Sequence, residues 1–127
     1  MPTLRIEIKS RATADAEFAA AFKAARAGKK PSRPLRGIYF TSLESVRRLL
    51  SDKRMALLRL VRERHPRSIY ELAKISGRNF KNVHADVALL KKYGLLRLPP
   101  RKRLFDKGPS RRPISVPYAS INIHAFV

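Results

Sequence analysis

The sequence predicts an α+β fold, and three observations carry that prediction. Leu4, Ile6 and Ile8 alternate with Arg5, Glu7 and Lys9, the period-two pattern of a strand. Successive stretches between residues 13 and 93 place apolar side chains at helical spacing behind recognisable caps. Residues 68–96 read as two helices joined at a glycine, followed by a basic loop between apolar segments. Together these describe a winged helix-turn-helix preceded by an N-terminal strand-helix arm.

The arm comes first. After the strand, Thr13 offers a helix cap, with Asp15 and Glu17 in the first turn, where the helix dipole favours anions. Ala14, Phe18, Ala21, Phe22 and Ala25 form one apolar stripe, and Gly28 ends the helix. Residues 29–34, Lys-Lys-Pro-Ser-Arg-Pro, make a basic, proline-broken linker. The linker divides an arm, residues 1–36, from a DNA-binding domain, residues 37–127, and the arm is expected to support dimerisation.

Residues 37–41 read as a short strand. Thr41 and Glu44 stand at capping-box spacing ahead of a helix whose apolar face is Leu43, Val46, Leu49 and Leu50. Ser51 caps the next helix, which buries Met55, Leu58 and Val61. It stops at His65-Pro66, because proline restricts the residue before it.

Ser68 and Glu71 repeat the capping-box spacing and open the first helix of the helix-turn-helix. Leu72 and Ala73 face the second helix, and the small Ala73 lets the backbones approach. Gly77 supplies the positive φ of the turn. Val83, Val87 and Leu90 form the buried stripe of the second helix, extended one turn by Phe80. The opposite face carries Arg78, Lys81, Asn82, Ala85 and Lys92. The first four of these lie at the N-terminal end, which enters the major groove in this motif. Lysine reads guanine O6/N7 and asparagine reads adenine N6/N7, which nominates Lys81 and Asn82 for bases and Arg78 for a base or phosphate. Asn79 is the expected cap, with backbone amides aimed at a phosphate. A second cluster, Arg59, Arg62, Arg64 and Arg67, approaches from the preceding helix as a phosphate clamp, and Ser68 is counted among the DNA-contacting residues.

After residue 96, Ile114, Val116 and the Ile121, Ile123, Ala125, Val127 series resume period-two alternation, so strand, basic loop, strand is the expected wing. Arg101, Lys102, Arg103, Lys107, Arg111 and Arg112 crowd that loop against the single acid Asp106, a composition suited to tracking phosphates or reaching into a minor groove.

Bulk composition narrows the function classes. Twenty-nine basic residues against nine acidic ones give a net charge of +20, which destabilises a compact chain unless a polyanion offsets it. The chain has no cysteine, which removes thiolate catalysis, cysteine-type zinc sites and disulfides together. His65, His84 and His124 show no ligand spacing, so neither an enzyme nor a metal or cofactor is nominated. No apolar run approaches the ~20 residues of a membrane span, and the start of the chain lacks a signal-peptide pattern. A cytoplasmic, nucleoid-associated location is therefore expected. The alternative is an RNA-binding or architectural basic protein that uses a winged helix. Against it, Tyr39, Phe40 and Phe80 sit on apolar stripes rather than forming an exposed stacking platform.

Residues 37–127 resemble a family of winged-helix transcriptional regulators of prokaryotes, loosely MarR-like. The likeness rests on Tyr39-Phe40-Thr41-Ser42-Leu43, on residues 53–58 and 65–73, on Gly77-Arg78, Lys81-Asn82-Val83-His84 and Asp86-Val87, and on Val116-Pro117-Tyr118 before a last strand. The strand over residues 4–8 fits as well, and these motifs are more specific than a generic helix-turn-helix. Asn79 and Ala119 stand where the family pattern leads one to expect acids. The resemblance implies a dimeric regulator of double-stranded DNA, a repressor, with the antitoxin of a toxin–antitoxin pair as a candidate role and a protein toxin as its partner.

Overall fold

Strand β1 (Thr3–Ile8) lies at the centre of a three-stranded, wholly parallel sheet ordered β2-β1-β3, with β2 spanning Ile38–Phe40 and β3 Ser120–Ala125. The computed structural model describes residues 2–29, 38–99 and 113–127. Five helices complete it: α1 (Arg11–Arg26), α2 (Leu43–Leu49), α3 (Asp52–Arg64), α4 (Ile69–Ser76) and α5 (Phe80–Lys92). Contacts divide the chain into two units, one of residues 3–47 and 120–127, the other of residues 1–2 and 48–119. The unit containing β1 and α1 thus also takes in β2 and β3, drawn from residues that the sequence groups with the second domain.

In the sheet unit, Ile6 sits in register between Ile38 and Ile123, and Leu4 opposite Ile121. Leu4 and Ile6 are buried, whereas Arg5 and Glu7 on the other face are half-buried, so the strand's alternation is a real division between faces. Helix α1 begins one turn earlier than the sequence suggests. The cap is Ser10, whose hydroxyl accepts from the Thr13 N–H at 3.1 Å, and the first turn holds no acid. Its far end closes as expected at Gly28, φ 75°, with Gly28 N–H donating to Ala25 O and Lys29 N–H to Ala24 O. Of the apolar stripe only Ala14 is buried. Phe18 and Phe22 remain exposed.

In the other unit α3 starts at its predicted cap, Ser51, and buries Leu57, Leu58 and Val61, with Met55 half-buried. It ends at His65, which turns left-handed at φ 49° ahead of the buried Pro66. Helix α2, whose first five residues belong to the sheet unit, is capped by Ser42, which accepts from Ser45 N–H at 3.2 Å, one residue past the expected Thr41. Its Val46 and Leu49 are buried but Leu43 is exposed. No helix among the described residues is long and apolar enough to cross a membrane.

The wing expectation meets a different arrangement. Ile121, Ile123 and Ala125 do form a strand, but that strand pairs along the whole length of β1. Strand β2 occupies one edge of β1 and reaches only Ile6, Glu7 and Ile8, while β3 supplies the backbone partners along the whole of the opposite edge. Where the base of a wing was expected there is one antiparallel bridge, Arg97 N–H to Ser115 O at 2.7 Å and Ser115 N–H to Arg97 O at 3.0 Å. Ile114, fully buried, is held by its N–H to Pro66 O at 2.8 Å. The six basic loop residues from Arg101 to Arg112 lie outside the described residues.

Candidate nucleic-acid interface

Helices α4 and α5 are joined by the short turn at residues 77–79, and local chemistry sets each end. The Ser68 hydroxyl accepts from Glu71 N–H at 3.0 Å, and the Glu71 carboxylate accepts from Arg67 N–H at 3.1 Å, which satisfies two donors at the start of α4. Gly77 closes α4 at φ 67° with Arg78 N–H donating to Ala73 O, and Asn79 caps α5 by accepting from Lys81 N–H at 2.8 Å. Leu72, Val83, Val87 and Leu90 are completely buried and Ala73 nearly so, which is the packing their spacing predicted.

That packing turns Lys81, Asn82, Ala85 and Lys92 outward on one side of α5. Among the described residues the side chains of Lys81 and Asn82 make no hydrogen bond or ion pair, so their donors are uncommitted. Arg67 is exposed at the start of α4.

Arg78 stands apart from this group. Its Nη2 donates to Asp86 Oδ2 at 2.8 Å, and Arg54 Nε from α3 donates to Asp86 Oδ1 at 3.1 Å. Arg54 also caps the end of α2, donating to the carbonyls of Arg48 and Leu49. One buried carboxylate on α5 therefore ties together α3, the inter-helix turn and, through Arg54, the end of α2. This clamp was missed from the sequence. Asp86 lies two residues from His84, and its only legible signal was an acid on the flank of an otherwise apolar stripe. Arg62, from a cluster that looked suited to phosphate, instead donates to Tyr118 O at 2.8 Å and Val116 O at 3.4 Å and holds that segment in place.

Phe80 is the second departure. It does not extend the buried stripe but stands 47% exposed, with its ring centroid 6.3 Å from Tyr70 and 5.8 Å from His84. The first residue of α5 projects beyond the end of the core, so helical spacing alone overstated its burial.

A family model described as HVO_A0114 matches residues 49–123, the span that holds α3, α4 and α5. No curated protein and no solved structure matches the chain.

Proposed function

We propose that this chain, which belongs to the HVO_A0114 family, is a sequence-specific regulator of double-stranded DNA, acting as a repressor through a winged helix-turn-helix. The observation that carries the reading is the outward face of α5. Lys81 and Asn82, both exposed and without side-chain partners among the described residues, stand at the end of a helix whose opposite side is fully packed. Side chains of these two types read base edges in a major groove. Arg67, Ser68 and the Asn79 cap supply backbone contacts beside them. In this reading Arg78 orients α5 through Asp86, and the loop carrying Arg101, Lys102, Arg103, Lys107, Arg111 and Arg112 meets adjacent phosphates. A two-fold dimer with half-sites about one helical turn apart is the matching assembly, and a toxin is a candidate protein partner.

The test is selection of tight binders from a random-duplex pool, scored by fluorescence anisotropy at two salt concentrations with structured RNA as competitor. A palindromic duplex bound about 10³-fold or more above random DNA supports the proposal. Uniform duplex affinity with RNA preferred removes it.

A further inference from the structure

A second surface runs along α5 beside the Lys81–Asn82 face. Phe80, His84, Ala88 and Lys91 recur at helical spacing down this flank. They span roughly 17 Å at 1.5 Å per residue. At the start of the row Tyr70 of α4, 70% exposed, Phe80 and His84 form a chain of rings in contact. Tyr70 is largely exposed and Phe80 about half exposed, so these rings stand at the surface instead of completing the core. Beyond them His84 also borders a groove of about 430 Å³, floored by Ile69, Val87, Ala88 and Leu98. Lys91 and Lys92 close its far end.

The sequence of surfaces is ring, ring, ring, apolar groove, two cations. Duplex DNA does not match it, because stacked bases offer only their edges in the grooves. An unpaired strand does match. Its bases have free faces to lie on aromatic rings, stacking of this kind tolerates any base, and its phosphates are neutralised by lysine. We propose that this flank of α5 binds single-stranded nucleic acid, with bases stacked at Tyr70, Phe80 and His84 and phosphates at Lys91 and Lys92. The proposal stands independently of the duplex reading, which rests on Lys81 and Asn82, and Lys92 is the one residue that borders both surfaces.

The full chain is titrated by anisotropy with labelled ten-mers of deoxythymidine, of uridine and of an abasic strand of equal charge, and with a random duplex. The unaltered protein is expected to bind at least one of the base-bearing strands ten-fold or more tighter than the abasic strand. The better of the two identifies the source as DNA or RNA. Tyr70→Ala and Phe80→Ala should each weaken that binding about ten-fold, with random-duplex affinity within two-fold, since each removes one stacking partner. Tyr70→Phe, which keeps the ring, should retain it. Lys81→Ala should change single-strand affinity by less than two-fold, which separates this site from the duplex face. Equal affinity of the unaltered protein for abasic and base-bearing strands overturns the proposal without recourse to any variant. So does an equal loss on single strand and duplex in Tyr70→Ala.

Discussion

Asp86 and Lys81 show how two residues on one helix divide between holding a surface and forming it. Asp86 is the one charged residue counted among the buried side chains described, and two guanidinium groups converge on it. Removing it leaves Arg54 and Arg78 facing each other without a counter-charge. Asp86→Ala is therefore expected to lower stability by about 3 kcal/mol, measured by chemical denaturation, in line with breaking a largely buried pair. Arg78→Ala should also destabilise. An unchanged midpoint together with lost DNA affinity would return Arg78 to the contacting face. Lys81 and Asn82 behave oppositely. Lys81→Ala or Asn82→Ala should leave the unfolding midpoint unchanged and cost on the order of 1–3 kcal/mol on a selected duplex, with little loss on random DNA. Equal losses on both would strip these residues of base reading.

At the scale of elements, the sheet unit depends on a polar cluster as well as on its apolar rows. The Lys9 ammonium donates to Glu7 at 2.7 Å and also meets Glu17 of α1, while the ring of Tyr39 lies 5.6 Å away. The hydrogen bond from Lys9 holds the Glu7 carboxyl below its ordinary value of 4.5, and bonding to Glu17 and then Glu7 raises Lys9 above 10.5. The Glu7 contribution is complete above its unfolded value and is lost as pH falls through its lower folded value. The Lys9 contribution is complete below 10.5 and is lost as pH rises beyond it. Stability from this cluster should therefore be flat from about pH 5 to pH 10 and decline outside that window. Lys9→Met should lower mid-range stability by about 1 kcal/mol, a figure kept small because Glu17 is well exposed. A Lys9→Met variant whose acid-side decline matches that of the unaltered chain would show that Glu7 gains nothing from Lys9.

Over the whole molecule, a net charge of +20 sets the energetics of any encounter with nucleic acid. Each phosphate neutralised releases condensed counterions, so affinity should fall steeply with salt. Replacing Arg111 and Arg112 with glutamine should weaken all duplexes alike and reduce the slope of log affinity against log salt by roughly two. An unchanged slope would remove those two arginines from the phosphate contacts.

Much of this molecule was legible without coordinates, and the boundary of legibility has a physical cause. Local interactions were readable because they act within a few residues. Ser51, Ser68 and Asn79 cap the helices they were expected to cap, Gly77 takes the left-handed turn, and Leu72, Val83, Val87 and Leu90 fill the core between α4 and α5. The composition likewise showed on its own a net charge of +20, which is the basis for proposing a polyanionic partner. Pairing between distant segments was not readable. Period-two alternation identified residues 121–125 as a strand but carries no information about its neighbour, and only the fold placed it along β1. Burial of an apolar face was equally hidden, since spacing names a face and the tertiary structure alone decides whether anything covers it. That decision left Phe18, Phe22 and Phe80 exposed and drew Arg78 onto Asp86, thirty-two residues along the chain from the Arg54 that completes the clamp.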